Sequence, residues 1–257
     1  MKQVELTPIE HSVKIGQVCP DLEPNVTEDC IFTHEGQPIG FYMRRLPEDV
    51  CKIADVADHE LRSNRVPKSE MRRSSGLHND ELEVRQYSTI IGSVPPKPHM
   101  RRTYATRSSV HAQKSAQTFI KAMNLLCKHS EQIIKQTTPS LYQAQVEAMK
   151  DVPKKWRFGN LYTSSISNYN IPANYHRDAG NILNTCNVII TKRRNSTGGN
   201  LHIPDYNAVI DQCDNSILVY PAWRNVHGVT PIRPTHDDGY RNSLVFYPLK
   251  AFVGLEQ

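Results

Sequence analysis

The stretch from Asn168 to Tyr247 decides the fold of this 257-residue chain, because short apolar runs alternate there with turn signals. In order it reads NYHRDAGN (174–181), CNVIITK (186–192), STGGNLHIPDY (196–206), SILVYP (216–221), NVHGVTPI (225–232) and YRNSLVFYP (240–248). Apolar and β-branched runs separated by Gly, Asn and Pro are typical of the short strands of a β-sandwich or jelly roll. We therefore expect an all-β core over this part of the chain.

Three side chains within this stretch form a candidate metal site. His176 and Asp178 are two residues apart, so in an extended strand they face the same side. His227 comes from a distant strand and is followed by a glycine, a small residue that allows other groups to approach closely. Two histidines and one carboxylate, with open positions opposite, are the ligand set of non-haem Fe(II) oxygenases. The sequence therefore predicts that these three residues bind iron and carry the catalysis.

A candidate carboxylate receptor follows on the next strand. Arg241 lies fourteen residues after His227 and begins the alternating run RNSLVFY, which puts Ser243 on the same face. A guanidinium can hold a carboxylate through two parallel hydrogen bonds, and a neighbouring hydroxyl adds a third donor. We expect Arg241 and Ser243 to bind the far carboxylate of a dicarboxylic acid.

With this frame of His-x-Asp, GGNLHIP, histidine and Arg-x-Ser, the chain resembles the Fe(II)- and 2-oxoglutarate-dependent dioxygenases. Within them it is similar to the TET/JBP-type branch, which oxidises the 5-methyl group of pyrimidines in nucleic acid. The resemblance covers about the last hundred residues. It implies an α+β fold, in which helices N-terminal to a double-stranded β-helix (jelly roll) buttress it, and it implies Fe(II), 2-oxoglutarate and O₂ as cofactor and co-substrates. It also implies that Tyr169 binds the carboxylate of 2-oxoglutarate, while a buried tyrosine that only satisfies a neighbouring group remains an equal alternative.

The chain departs from the animal TET enzymes in two ways. It has no cysteine-rich zinc-binding region and no long insertion within the β-helix stretch. The resemblance therefore implies a minimal version of the kind found in microbes and phages. It does not identify the residues that read the base.

Positive charge is concentrated in one segment, although the net charge of the chain is only +5. The segment from Arg85 to Ser130 contains no Asp or Glu and eight Lys or Arg residues. Arg101, Arg102 and Arg107 lie in its proline-rich stretch, and three lysines spaced by seven residues follow, namely Lys114, Lys121 and Lys128. A localised basic face is typical of polyanion binding. We expect DNA as a partner, with the three arginines contacting it, while a basic strap over the core remains an equal alternative.

The N-terminal half is expected to support this core within a single domain. Residues 1–107 are predicted as an irregular region with short strands and the basic arm, and residues 108–257 as helical support and β-helix core. Ser108 or Ser109 would cap a long helix, and a shorter one would start at Pro139, end near Pro153 and bury Tyr142, Val146 and Met149. Residues 51–84 are dense in charge, and 63–83 are predicted as a solvated loop.

Composition indicates the compartment. Six cysteines without a Cys-x-x-Cys pair indicate neither a zinc site nor a disulfide framework. The N-terminus is too polar for a signal peptide, and no apolar run approaches the length of a membrane span. A cytoplasmic protein is the simplest expectation.

Three functions remain open at this point. The first is hydroxylation of the methyl group of thymine or 5-methylcytosine in DNA, with the base extruded to reach the metal. The second is a 2-oxoglutarate-dependent hydroxylase of a protein side chain or a small molecule. The third is a binding protein on a degenerate oxygenase scaffold, which the retained ligands and Arg-x-Ser pair disfavour.

Overall fold

The computed structural model describes residues 1–70 and 85–256, and its secondary structure is mostly strand. The three helices found in these residues are α1 (Glu48–Arg62), α2 (Gln117–Thr137) and α3 (Pro139–Ala148). The strands are β1 (Lys2–Glu5), β2 (Cys30–His34), β3 (Gln37–Met43), β4 (Ser69–Glu70), β5 (Tyr87–Val94), β6 (Thr106–Arg107), β7 (Ser164–Tyr169), β8 (Ala173–His176), β9 (Asn187–Arg194), β10 (Ser196–Gly198), β11 (Leu201–Ile203), β12 (Ala208–Ile210), β13 (Ile217–Tyr220), β14 (His227–Val229), β15 (Ile232–Pro234) and β16 (Tyr240–Tyr247).

Two sheets face each other. The major sheet has the order β1-β2-β3-β13-β9-β16-β7-β5-β4, with β6 paired to β5, and the minor sheet has the order β12-β11-β14-β8. Strands β10 and β15 form a separate antiparallel pair. In the centre of both sheets the neighbouring strands, such as β13, β9 and β16 or β11 and β14, are non-consecutive in sequence, as in a jelly roll rather than a meander. The expected α+β fold with a double-stranded β-helix is confirmed.

The major sheet buries a different core on each face. Its outer face packs against α1 and α2 through large apolar side chains such as Phe41, Phe119, Leu126 and Leu244. Its inner face packs against the minor sheet through residues such as Tyr42, Leu218, Leu201 and Ile210. Successive side chains of each strand point to opposite faces of the sheet, so adjacent residues lie in different cores.

The N-terminal region is more ordered than the sequence indicated. Strands β1, β2, β3 and β5 are part of the major sheet, and α1 packs beside α2. Helix α1 was not predicted, because its apolar stripe consists largely of small residues such as Ala54 and Ala57 and its buried face includes Asp58 and Glu60. Residues 71–84, the later part of the predicted loop, lie outside the described residues.

The boundaries of the other two helices also differ from the prediction. Ser108 caps a short 3₁₀ turn, where its Oγ accepts a hydrogen bond from the Val110 amide at 3.3 Å, and α2 begins only at Gln117. Helix α3 begins at Pro139 as predicted and ends at Ala148, before the expected end near Pro153. Its buried face includes Leu141 and Gln145, whereas Val146 is exposed. None of the helices in residues 1–70 and 85–256 is both long enough and apolar enough to cross a membrane.

Candidate metal centre and co-substrate pocket

Two neighbouring strands of the minor sheet bring the three predicted metal ligands together. His176 at the end of β8 lies opposite His227 at the start of β14, and Asp178 follows two residues after His176. One ligand atom from each of the three lies within 4.8 Å of the others. His176 Nε2 is 3.5 Å from Asp178 Oδ1. This spacing suits three ligands on one face of a single metal ion.

Hydrogen bonds orient these ligands. His176 Nδ1 lies 2.7 Å from the Asn174 carbonyl oxygen, and His227 Nδ1 lies 3.0 Å from that of Asn225. A carbonyl oxygen only accepts, so each imidazole carries its proton on Nδ1 and leaves the Nε2 lone pair free for a metal. Asn187 Nδ2 donates to Asp178 Oδ2 at 2.8 Å, which leaves Oδ1 free. The three side chains therefore fit a divalent transition metal.

Burial shifts the pKa values of two of these ligands. Burial, with a smaller contribution from His176, lowers the pKa of His227 to about 3, so this imidazole is neutral and available as a ligand. Burial raises the pKa of Asp178, while the neighbouring His176 and the Asn187 hydrogen bond oppose that shift. A neutral histidine beside a desolvated carboxylate is an environment that favours a bound cation.

Arg241 lies on the inner face of β16 and is only 3% exposed. Among the described residues it forms no salt bridge, and its cross-strand neighbour is another cation, Arg193. Its Nε has no hydrogen-bond partner. Burial, and then Arg193, lowers the pKa of Arg241 to about 9, so the guanidinium is still charged at neutral pH. A buried cation without a counter-charge fits an anionic ligand.

The inner-face residues next to Arg241 are polar. Ser243 faces the same side two residues later, opposite Thr191 on β9 and Asn168 on β7. Asn168 Nδ2 lies 3.4 Å from Ser243 Oγ. Gly199 has a φ of +68°, and a Cβ there would lie 3.1 Å from Arg241 Cδ. The Gly-Gly turn thus provides room for the arginine as well as a backbone conformation that other residues rarely adopt.

Tyr169 lies on the other face of the sheet, which corrects its expected place. It is opposite Asn242 on β16, and its ring stacks on Tyr87 at 4.5 Å between centroids and on Tyr240 at 5.9 Å. The strand period of two explains the difference, because a shift of one residue reverses the face. Asn168, not Tyr169, is the residue of β7 that faces Ser243.

The three arginines of the basic arm, the proline-rich stretch of residues 95–107, differ in their contacts. The Arg101 side chain is exposed, and its backbone has a φ of 59°. Arg102 Nη2 donates to the carbonyl oxygen of Pro95, and Arg107 Nη2 donates to those of Lys155 and Arg157, at 2.6 and 3.2 Å. Arg102 and Arg107 therefore hold the arm on the core, although Arg107 is also exposed. Among the described residues, Arg101 is the exposed arginine of the three whose side chain makes no such contact. The three lysines, Lys114, Lys121 and Lys128, are exposed.

Other histidines lie away from the metal ligands. His202 faces the outer side of the minor sheet, where its Nδ1 is 2.6 Å from the Tyr175 hydroxyl oxygen. His236 is exposed in a turn, and His78 lies outside the described residues. Sequence reasoning missed Asn187 and Gln212, which touch Asp178 and Arg241 respectively. A lone Asn or Gln gives no sequence signal, because amides are common on any surface.

The comparisons with known proteins agree with this geometry. A family model for the oxygenase domain of the 2OGFeDO superfamily (Tet_JBP) matches residues 92–250. The chain belongs to this family. As in the rest of the superfamily, this oxygenase uses Fe(II), 2-oxoglutarate and O₂. A search of the curated proteins gave no match.

Solved structures are similar to this chain at low identity, and the first of them shows the same fold. NgTET1 in complex with 5mC DNA is 15% identical, with a TM-score of 0.62 over 92% of this chain and 83% of its own. A 2OG-Fe(II) oxygenase from Burkholderia pseudomallei is 14% identical, with a TM-score of 0.45 over 81% of this chain and 84% of its own. The structure of OsALKBH1 is 11% identical, with a TM-score of 0.44 over 82% and 97%. The family match over residues 92–250 confirms the predicted family and enzyme class.

Proposed function

We propose that this oxygenase hydroxylates the 5-methyl group of a pyrimidine, thymine or 5-methylcytosine, in DNA. His176, Asp178 and His227 would hold the iron, and Arg241 and Ser243 would hold the far carboxylate of 2-oxoglutarate. With O₂, the iron would supply the oxidant for the methyl C–H bond: one oxygen atom would enter that bond as a hydroxyl, and the other would enter succinate as 2-oxoglutarate loses CO₂. The protein's own groups position the reactants and exclude water.

The observation that supports this chemistry is that a candidate metal site and a buried guanidinium both lie between the two sheets. Three metal-binding atoms converge within 4.8 Å on the minor sheet, and an uncompensated guanidinium projects from the inner face of the major sheet. A metal site alone would fit many enzymes. A metal site together with a receptor for a distant carboxylate fits a dicarboxylic acid that also chelates the metal.

The choice of DNA as substrate is supported by the TET/JBP family match, by the likeness to NgTET1 with its 5mC DNA, and by the basic segment. The C5 methyl group of a paired pyrimidine lies in the major groove, where a metal centre inside a pocket cannot reach it, so the base would have to leave the stack and enter the pocket. Such extrusion requires firm contacts with the phosphates on either side. Exposed cations at Arg101 and along α2 suit that role.

The decisive experiment is incubation of the iron-loaded protein with 2-oxoglutarate, O₂ and oligonucleotides, followed by digestion to nucleosides and mass spectrometry. Duplexes and single strands would contain 5-methylcytosine, thymine, or neither. We expect a 5-hydroxymethyl nucleoside with one of the first two and not with the His227→Ala variant. Release of CO₂ from 2-oxoglutarate without oxidation of any base would favour the hydroxylase of a protein side chain or a small molecule.

The arm contact has its own test. Arg101→Ala should lower DNA affinity and reduce the slope of log affinity against log salt by about one unit, without changing the preferred base. Lys52→Ala, which removes an exposed cation on α1, is the matched control. The triple change of Arg101, Arg102 and Arg107 to alanine should have a larger effect, but it also releases the arm. An Arg101→Ala protein with the parent's salt slope would contradict a phosphate contact there.

A further inference from the structure

A buried amide lies against the guanidinium of Arg241. Gln212 lies between β12 and β13, and its side chain is fully buried. One atom of its carboxamide is 2.9 Å from Thr191 Oγ1 and 3.5 Å from Arg241 Nη2. A guanidinium only donates hydrogen bonds, so the atom facing it is the amide oxygen, Oε1. The amide nitrogen, Nε2, therefore points elsewhere.

Two buried donors in this cluster lack acceptors. Neither Gln212 Nε2 nor Arg241 Nε has a hydrogen-bond partner. An unsatisfied buried donor destabilises the protein, and more so when it is charged, so two of them together are costly to maintain. Another buried donor without a partner, the Tyr162 hydroxyl, lies in the apolar core, whereas these two lie together beside the polar residues Thr191 and Ser243. The missing acceptors indicate a ligand that carries oxygen atoms.

The backbone of Gln212 is fixed in this position. Its amide N–H donates to Asn200 Oδ1 at 3.3 Å, and its carbonyl oxygen accepts from Arg193 Nη1 at 3.2 Å. Thr191 lies opposite Ser243 on the pocket floor, and its hydroxyl contacts the amide oxygen. The carboxamide is thus held through its oxygen by the Thr191 hydroxyl and the Arg241 guanidinium, which reduces the entropy lost on binding.

We propose that Gln212 donates its Nε2–H group to the far carboxylate of 2-oxoglutarate and so completes the receptor formed by Arg241 and Ser243. This inference rests on the proposed function, in which Arg241 anchors that carboxylate. A carboxylate has two oxygen atoms with about four acceptor positions, enough for the guanidinium, the hydroxyl and one amide proton. The role of Gln212 is to select a ligand with a terminal carboxylate and to hold its orientation.

The test compares two ligands that differ only at the far end. Anaerobic calorimetry on the Fe(II)-loaded protein would measure binding of 2-oxoglutarate and of 2-oxopentanoate, which has a methyl group in place of the far carboxylate. Gln212→Met keeps the length of the side chain and removes the donor. It should weaken 2-oxoglutarate about tenfold or more, since a hydrogen bond to a charged group is lost, and it should leave 2-oxopentanoate unchanged.

Two further variants strengthen the test. Gln212→Glu places a carboxylate beside Arg241, which would pair with the guanidinium and repel the dianion, so its loss of 2-oxoglutarate affinity should exceed that of Gln212→Met. Gln136→Glu makes the same charge change at an exposed position of α2 and should leave both affinities at the parent value. If Gln212→Met does not fold, as judged by thermal unfolding, Gln212→Asn gives the same comparison, because its shorter amide cannot reach.

The outcomes separate this inference from the proposed function. A parent protein that does not bind 2-oxoglutarate better than 2-oxopentanoate would overturn both. If the parent prefers 2-oxoglutarate and the Gln212 variants keep that preference in full, this inference alone is overturned. An equal loss of both ligands would also overturn it, because Gln212 would then support the fold of the pocket and not the far carboxylate.

Discussion

Two buried cations on neighbouring strands of the major sheet differ in their surroundings. Lys192 on β9 faces the helices, and its Nζ lies 2.7 Å from Asp55 Oδ1, 3.0 Å from Asp214 Oδ1 and 2.9 Å from Asn215 Oδ1. Arg241 on β16 faces the minor sheet and has no carboxylate partner among the described residues. Both side chains are almost inaccessible to solvent, so each must be stabilised by something other than water.

The difference distinguishes a cation that serves the fold from one for which we propose a ligand-binding role. Lys192 has acceptors within the chain, so its charge is compensated whether or not a ligand is present. Arg241 keeps an unsatisfied Nε and a second cation beside it. Leaving a buried charge uncompensated destabilises the protein, and a bound anion would remove that penalty. The two faces of one sheet therefore have different tasks, stability outside and chemistry inside.

The largest effect is expected at the metal ligands on the inner side. His176→Ala, Asp178→Ala or His227→Ala should each abolish iron-dependent turnover, because three ligands are the minimum that holds the metal with open positions. Metal analysis and circular dichroism would check that iron is lost and the fold is retained. His236→Ala is the control and should bind iron as the parent does. Full iron affinity in the His227→Ala protein would show that the ligand assignment is wrong.

The same substitution at the two buried cations should affect different quantities, 2-oxoglutarate affinity at Arg241 and stability at Lys192. Arg241→Met should weaken 2-oxoglutarate binding by about 100-fold, since a two-pronged charged contact is lost. The free energy of unfolding without 2-oxoglutarate should not fall, because an uncompensated buried charge has been removed. Arg241→Lys should be intermediate in affinity, as lysine lacks the planar fork. Calorimetry and urea unfolding measure the two quantities, with iron bound in every variant.

Lys192→Met provides the other half of that comparison. It should lower the free energy of unfolding by about 1–3 kcal/mol, a value reduced from that of a fully buried pair because Asp55 and Asp214 are partly exposed. Its affinity for 2-oxoglutarate should equal that of the parent. Loss of affinity in Lys192→Met, or loss of stability in Arg241→Met, would remove the distinction between the two faces.

A stability effect without a binding effect is expected at Asp58 on the outer face. Its Oδ2 accepts from the Tyr240 hydroxyl at 2.7 Å and from Arg62 Nε at 3.1 Å, and Asn242 donates to its Oδ1. Asp58→Ala should lower the free energy of unfolding by about 2–4 kcal/mol, because several buried donors lose their acceptor. Binding of 2-oxoglutarate, measured well below the unfolding temperature, should be retained.

The smallest effects distinguish the two faces of β7. Asn168→Ala removes an inner-face donor beside Ser243 and should weaken 2-oxoglutarate by about two- to tenfold. Tyr169→Phe, one residue later on the outer face, should leave that affinity unchanged. Calorimetry on both variants decides between the faces. If Tyr169→Phe weakened 2-oxoglutarate binding more than Asn168→Ala did, Tyr169 would have to contact the co-substrate after all.

The sequence by itself determined the features that depend on local periodicity. The period of two is enough to put His176 with Asp178, and Arg241 with Ser243, on common faces. The order of strand, Gly-Gly turn, strand, histidine and Arg-x-Ser was sufficient for the family and the fold. The start of α3 at Pro139 also followed from local chemistry, since proline is favoured in the first turn of a helix.

Only the tertiary structure decided which neighbours each residue has. In the structure Tyr169 points away from the pocket, and Arg102 and Arg107 donate to backbone carbonyls. The structure also contains α1, which its stripe of small residues did not predict. It also brought Gln212 to Arg241 from another part of the chain. These facts depend on strand pairing between distant segments, which sets burial and hydrogen-bond partners. A residue's own neighbours in sequence do not specify whether a buried donor finds an acceptor.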